Sequence, residues 1–218
     1  MVKDRRKRVF ALIMAVVTLA ATSTCAAYDR TAAVDYALRY WDVVCSDGYY
    51  FVENTGPTQL GPGAVLPTEH EGYDCAHFVS CCVGNEPNDA GGGLDVPSRT
   101  LAYGEPGAQR LTDWLLDNGA TRVKRVSSLL PGDVIAYDAD HNGWIEHVTL
   151  YMGNGLVTSH SISRYSEWNP DPDSDFLFLH LPGTDDPPRL EGEGWMSWLV
   201  LAAALTGIAL AIVLTIPR

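Results

Sequence analysis

The sequence predicts an α+β domain in which helices come first and an antiparallel sheet follows. Up to about residue 118, apolar residues recur three and four positions apart, which is the period of a helix with one buried side. From residue 133 onward the period becomes two, and tight-turn sequences join the apolar runs, as expected for strands that pair with their chain neighbours. Helices segregated from an antiparallel sheet define the α+β class.

The predicted helices have recognisable ends. Asp29 or Thr31 caps the first helix, because either side chain can accept a hydrogen bond from an unpaired N–H of the first turn. Gly84 ends the second helix, and Asn118-Gly119 ends the third. The long segment between the first two helices, residues 46–72, is rich in Gly and Pro and is predicted to be a surface loop. The helices cover residues 32–41, 75–83 and 109–118.

The predicted strands form a chain-ordered sheet. Leu130-Pro131-Gly132 leads into the first strand. Asn154-Gly155 predicts a tight hairpin between the second and third strands, since both residues tolerate a positive φ. The strands cover residues 133–138, 147–152, 156–162 and 176–180.

Both ends of the chain have the composition of membrane-directed segments. Residues 1–27 combine a basic start, an apolar run and small residues, which is typical of a secretory signal peptide, with an uncleaved N-terminal anchor as the alternative. Residues 195–216 carry no charge and would form a helix of roughly 33 Å, enough to cross a bilayer. Residues 183–194 are predicted to be a polar linker. The sequence therefore predicts a catalytic or binding domain, residues 28–182, anchored to a membrane and facing away from the cytoplasm.

Charge and cysteine spacing limit the partners. The formal net charge of -12 argues against nucleic acid, whose phosphates require Lys and Arg contacts. The cysteine spacing matches no zinc motif, so neither a metal nor an organic cofactor is expected. In an exported domain Cys45 could form a disulfide with Cys81 or Cys82, and buried free thiols are equally compatible with the sequence.

Cys75 carries the most chemical information in the chain. It stands where a polar, Gly-rich stretch changes into an apolar helix. A thiol in the first turn of a helix faces unpaired N–H groups and the positive end of the helix dipole, and both favour the nucleophilic thiolate. A cysteine nucleophile also needs a base and a group that orients this base.

Two histidines follow on neighbouring predicted strands. His147 begins its strand and is the candidate base. His160 lies on the next strand of the same hairpin, where it could accept the ring N–H of His147 and fix its tautomer. Because adjacent residues of a strand face opposite sides, a shift of one residue would place Ser159 there instead. The spacing thus predicts a site of Cys75, His147 and either His160 or Ser159.

Three sequence blocks resemble a known superfamily. Residues 74–80 resemble the Asp-Cys-(Ser/Thr)-x-(Phe/Leu)-Val motif of NlpC-type papain-like peptidases, and residues 130–135 resemble their Pro-Gly-Asp-Leu strand entry. Residues 147–155 resemble their His-Val-x-Ile-Tyr-x-Gly-(Asn/Asp)-Gly strand. With this Asp-Cys pair, residues 28–37 are similar to the putative amidase domain family, a branch of that superfamily. The resemblance covers roughly residues 28–182.

The resemblance implies a papain-like fold and hydrolysis of an amide or peptide bond, with cell-envelope peptides as one substrate class. Cys75 would be the nucleophile, His147 the general base and His160 the orienting residue. Tyr73 and Asp74 would contribute to the oxyanion site or the cleft. Two other functions stay open: an inactive binding module with the same fold, and an acyl or isopeptide transferase that uses the same acyl-enzyme.

One position departs from the family pattern. His77 stands where many relatives carry Gly or Asn, which predicts a different cleft wall. We otherwise expect His77 to be a surface or structural residue.

Overall fold

The computed structural model describes most of the predicted domain. Its described residues are 28–52, 56–67, 73–161 and 164–183. The predicted signal peptide, the predicted membrane helix and all but the first residue of the predicted linker lie outside these ranges. Within the four ranges, no helix combines the length and hydropathy that a membrane span requires.

The predicted helices are present where the sequence placed them. The N-terminal helix is capped by Asp29, whose Oδ1 accepts the N–H of Ala32 at 3.0 Å. The second helix is buried on every side, which fits its almost uninterrupted apolar composition. The third ends before Gly119, which has a φ of 101°. We name them α1 (Arg30–Tyr40), α2 (Cys75–Val83) and α3 (Ala108–Asp117).

The segment predicted to be a loop, residues 46–72, contains a small hairpin. Strands β1 (Tyr49–Val52) and β2 (Gly56–Gln59) pair antiparallel. The prediction was wrong here because Gly and Pro dominate this stretch, and Pro57 lies directly opposite Phe51 in the hairpin. Phe51 is buried although the strand that carries it is short.

The main sheet has six strands in the order β3-β8-β4-β5-β6-β7, and every pairing in it is antiparallel. A short 3-10 turn (Val126–Ser128) precedes β4. The α+β class and the antiparallel sheet are therefore confirmed, while β3 and β7 had not been predicted and β6 ends earlier than expected. The strands are β3 (Thr121–Val123), β4 (Val134–Asp138), β5 (His147–Gly153), β6 (Leu156–Ser159), β7 (Arg164–Glu167) and β8 (Asp175–His180).

The sheet separates two apolar clusters. Helix α2 packs against β5, and Phe78 belongs to the same cluster as Val148 and Leu150. Tyr151, the neighbour of Leu150, lies in the second cluster together with Val157. Neighbouring side chains of β5 thus point to opposite faces of the sheet. Because α2 packs on the face that carries Val148, the start of α2 lies beside the start of β5.

The Pro-Gly-Asp block, residues 131–133, holds the N-terminal segment against the sheet through buried polar contacts. Asp133 is fully buried, and its Oδ1 lies 2.5 Å from Nη1 of Arg30. The same carboxylate accepts the backbone N–H of Leu130 and that of Leu181. The hydroxyl of Tyr28 donates to the carbonyl of Gly132 at 2.6 Å. This block is therefore structural, and it fixes where β4 begins.

Candidate active site

Cys75 is the first residue of α2, and its side chain is 5% exposed. Burial raises the pKa of the thiol above its usual range, although hydrogen bonds from the N–H of Val148, the hydroxyl of Ser161 and the N–H of Ala76 act in the opposite direction. The sequence led us to expect a thiolate. In the folded domain burial outweighs the helix start, so the resting group is the neutral thiol.

His147 is the first residue of β5, and its ring packs against Tyr137 with ring centroids 5.1 Å apart. Burial lowers the pKa of His147 to about 4, and the nearby positive charge of Arg164 acts in the same direction. Among the residues that the structure describes, none forms a hydrogen bond with this ring. At neutral pH the imidazole is therefore uncharged and able to accept a proton.

Cys75 and His147 face one cavity of about 370 Å³. The thiol and the imidazole share this space without a direct hydrogen bond in the described structure. Catalytic pairs of this kind are often loose without substrate and tighten when it binds. The cavity is lined by Tyr73, Cys75, Pro106, Gly107, Ala108, Gln109, Arg110, Trp144, Ile145, Glu146, His147 and Ser161.

A second cavity, of about 490 Å³, also borders His147. Tyr73, His147 and Ser161 border both cavities. Tyr73 is 57% exposed, so its ring stands at the entrance to the cleft. The second cavity is lined by Tyr73, Tyr137, His147, Ser159, Ser161, Arg164, Asn169, Asp171, Ser174 and Phe176.

The contacts of His160 do not fit the orienting role predicted from the sequence. Its Nδ1 lies 2.5 Å from Oδ2 of Asp74, and its Nε2 lies 2.7 Å from the carbonyl oxygen of Tyr40. The ring also stacks on Phe78, with centroids 4.2 Å apart. Both nitrogens are thus occupied away from His147, and His160 is fully buried behind α2.

The register of β5 and β6 explains this placement. Leu150 pairs with Thr158, so these two side chains point to the same face of the sheet. Because side chains alternate along a strand, His147, Ser159 and Ser161 all belong to the opposite face. Ser159 lines the second cavity with His147 and donates its hydroxyl to the carbonyl of His160 at 3.1 Å. Of the two candidates for the third position, Ser159 is the one that shares a cavity with His147.

Ser161 is a site residue that the sequence did not indicate. It borders both cavities and its side chain hydrogen-bonds the thiol of Cys75. Its φ of 69° is unusual for a residue other than Gly and follows from the end of β6, so no local sequence pattern marks it.

Asp74 lies behind the site rather than in the cleft, and it lines neither cavity. Its buried carboxylate accepts the N–H of Phe51 and contacts Nδ1 of His77, each at 2.9 Å, in addition to His160. Burial alone would raise the pKa of Asp74, but the facing rings of His77 and His160 lower it below its usual range. The expectation that Asp74 forms part of the cleft is replaced by a role as the anchor of the start of α2.

Comparison with known protein families assigns the chain to one of them. The family model described as "Putative amidase domain" matches residues 27–173. The chain belongs to this family, which confirms the resemblance drawn from its motifs. An amidase domain implies a substrate with an amide or peptide bond.

The individual relatives are distant. "Uncharacterized protein YhbB" of Bacillus subtilis (strain 168) is 27% identical over 176 residues, covering 71% of this chain and 50% of that protein. The chain therefore spans about half the length of the curated relative it matches. Among solved structures, NlpC1 of Trichomonas vaginalis has a TM-score of 0.43 at 18% identity, covering 75% of this chain and 47% of its own. NlpC2 of the same organism has a TM-score of 0.28 at 19% identity, covering 64% and 59%.

Proposed function

We propose that this chain is an exported, membrane-tethered cysteine hydrolase with a papain-like catalytic domain that cleaves amide or peptide bonds. The observation that carries the proposal is that Cys75, at a helix start, and an uncharged His147, at a strand start, face the same cavity. Membership in the amidase family supports the bond type. Export and tethering rest on the composition of residues 1–27 and 195–216.

The chemistry follows from the two side chains. His147 accepts the thiol proton while Sγ of Cys75 attacks the carbonyl carbon of the scissile amide. The resulting oxyanion is stabilised by the N–H of Cys75 and by the positive end of α2. The imidazolium then gives its proton to the leaving amine, the C–N bond breaks, and a thioester remains. Water, deprotonated by His147, hydrolyses this thioester and restores the thiol.

The orienting group in this proposal differs from that predicted by the sequence. The ring of His147 is held by packing against Tyr137, and the Ser159 hydroxyl on the same face is the candidate third group. His160 and Asp74 act as positioning residues, because they hold the first turn of α2 and do not line the cavities.

The cleft suits an extended substrate. The two cavities that border His147 leave room for substrate groups beyond the scissile bond. The exposed rings of Tyr73 and Trp144 offer apolar faces at the first cavity. A peptide of the cell envelope is the substrate class that fits an exported enzyme of this kind.

The central experiment measures thiol reactivity and amide cleavage on the full chain in detergent. A thiol-alkylating probe should modify Cys75, and Cys75→Ala should lower amide hydrolysis by about a thousandfold or more. Cys82→Ala is the matched control, since Cys82 is a buried thiol of the same helix that borders no cavity of the site. His147→Ala should abolish hydrolysis, whereas His141→Ala, at an exposed turn, should retain it.

The outcomes separate the alternatives. A folded protein whose Cys75 resists alkylation and that cleaves no amide would be an inactive binding module. Transfer of the acyl group to an added amine in preference to water would identify a transferase with the same acyl-enzyme. In cells that express the full chain, the protein should remain with membranes after an alkaline carbonate wash, and its release would contradict tethering.

A further inference from the structure

Three buried side chains with metal-binding atoms converge away from the catalytic cleft. Cys45 lies before β1, while His77 and Cys81 are four residues apart on one side of α2. Their ligand atoms, the two Sγ atoms and a ring nitrogen of His77, all lie within 4.8 Å of one another. All three residues are 0% exposed. The two thiols form no disulfide.

The spacing of these atoms approaches that of a coordination tetrahedron. Zinc bonds of about 2.3 Å to sulfur and about 2.0 Å to nitrogen place these two ligand atoms roughly 3.5 Å apart. Sγ of Cys81 and Nε2 of His77 are 3.5 Å apart. Oδ2 of Asp47 lies 3.0 Å from the same Nε2 and is the candidate for a fourth ligand, although it stands outside the group of three mutually close donor atoms.

The surroundings orient each donor. Nδ1 of His77 contacts the buried carboxylate of Asp74 at 2.9 Å, which leaves Nε2 directed at the thiols. Asp47 is fixed by the N–H groups of Tyr49 and Tyr103, at 3.0 and 2.8 Å. A carboxylate behind a ligating imidazole is the usual outer shell of protein zinc sites.

We propose that Cys45, Asp47, His77 and Cys81 form a structural site for a zinc-class divalent cation. Two thiolates, one imidazole and one carboxylate are a donor set that suits a tetrahedral, borderline-soft ion. The thiols and the imidazole give up the protons on their ligating atoms when the metal binds, and no oxidation is involved. Cys45, His77 and Cys81 border neither cavity of the cleft, so the ion takes no part in amide hydrolysis.

This site would join two parts of the chain that are distant in sequence. Cys45 and Asp47 belong to the segment before β1, and the other ligands belong to the helix that begins with Cys75. The ion would therefore hold the nucleophile helix against the small hairpin from the side opposite the cleft. The absence of a zinc motif in the sequence reflects the long separation of Cys45 from Cys81, which only the fold brings together.

The test is the metal content of the full chain, purified in detergent under reducing conditions without added chelator. Elemental mass spectrometry should find zinc at one equivalent, and cobalt should replace it with a sulfur-to-cobalt charge-transfer band and the intense visible bands of a tetrahedral complex. Cys45→Ser, Cys81→Ser and His77→Asn should lose the ion. Cys82→Ser and Cys75→Ser should keep it, which separates this site from the catalytic thiol.

Two results would overturn the proposal. One is a chain without metal in which cobalt gives no sulfur charge-transfer band although circular dichroism shows the native fold. The other is a disulfide between Cys45 and Cys81 in protein isolated without reductant, shown by peptide mapping, because it consumes two of the ligands. The cobalt titration uses the unaltered chain, so it decides the matter even where a variant fails to fold. Its result is independent of whether amide hydrolysis is observed.

Discussion

The carboxylate of Asp74 contacts Nδ1 of His160 at 2.5 Å, and the pair lies directly behind the first turn of α2. The pair links Asp74, which precedes Cys75 in the chain, to the end of β6. The other nitrogen of His160 reaches the carbonyl of Tyr40, so α1, α2 and the sheet meet at one imidazole. The position of Cys75 is set by this arrangement rather than by its own contacts alone.

Replacement of Asp74 should destabilise the fold strongly. Asp74→Asn leaves the imidazole of His160 without its buried counter-charge, and breaking a buried charge pair costs about 3–5 kcal/mol. Urea-induced unfolding of the variant measures this loss in the free energy of unfolding. Asp95→Asn, at an exposed position, serves as the control and should change it by less than about 0.5 kcal/mol. Similar values for both variants would refute the anchoring role.

The pH dependence of amide hydrolysis should reflect a base with a pKa of about 4. Only the uncharged ring of His147 can accept the thiol proton, so kcat/KM should hold from neutral pH to about pH 5 and fall roughly tenfold per unit below pH 4. Arg164→Gln removes a charge that lowers this pKa, so the acid limb should move to higher pH. An acid limb centred near pH 6.5 in the unaltered chain, or no shift in the variant, would contradict the buried, uncharged base.

The Arg30–Asp133 pair should matter far more than the other ion pair of α1. Arg30→Met removes the guanidinium partner of a fully buried carboxylate, which keeps only its backbone hydrogen bonds and its contact with His180, and should lower the free energy of unfolding by about 3–5 kcal/mol. Arg39→Met makes the same change on the same helix. It breaks the solvent-exposed pair with Asp89 and should cost about 1 kcal/mol or less. Thermal unfolding of both variants provides the comparison, and equal losses would show that burial of the pair is unimportant.

Gly91 should tolerate no side chain. A Cβ at this position would meet the carbonyl oxygen of Cys82 at 2.1 Å, a backbone atom that cannot move aside. Gly91→Ala should therefore destabilise the domain by about 1–3 kcal/mol through overpacking against α2. Gly93→Ala meets no atom within 4 Å and should cost only the strain of its φ of 84°, about 1 kcal/mol. Chemical unfolding that ranks Gly93→Ala as the more damaging change would refute the packing argument.

Local patterns were sufficient to predict the framework of the site. The helix that begins at Cys75 and the strand that begins at His147 were both predicted, because each is marked by a clear change of apolar period. Asn154-Gly155 predicted the turn between β5 and β6, and Asn154 does adopt a positive φ of 53°. These features depend on residues close together in the chain, which is where sequence patterns are reliable.

The third residue of the site could not be predicted from local sequence patterns. Choosing between Ser159 and His160 requires the register of β5 against β6, and the irregularity between Tyr151 and Gly153 shifts the pairing by one residue. The two candidates are sequence neighbours, so this shift decides which of them shares a face with His147.

The role of His77 illustrates a second limit. Its departure from the family pattern suggested a changed cleft wall, while a surface or structural role was otherwise expected. Helix α2 is buried on all sides, and His77 points away from the cavity toward Asp47 as a buried residue. A long apolar helix does not reveal which of its faces meets a loop that lies far away in the chain. The hairpin of β1 and β2, which brings that loop to α2, was itself not predicted, because Gly and Pro residues dominate its sequence.

The burial of α2 also bears on damage by oxidants. Along this helix, solvent reaches only the side chain of Cys75, at 5% exposure, while the thiols of Cys81 and Cys82 are 0% exposed. A peroxide that enters the cleft would therefore meet one sulfur and convert it to a sulfenic acid once its proton has been removed, leaving the other thiols reduced. Oxidation of Cys75 should thus leave the fold intact, so that a reductant restores the thiol without any refolding.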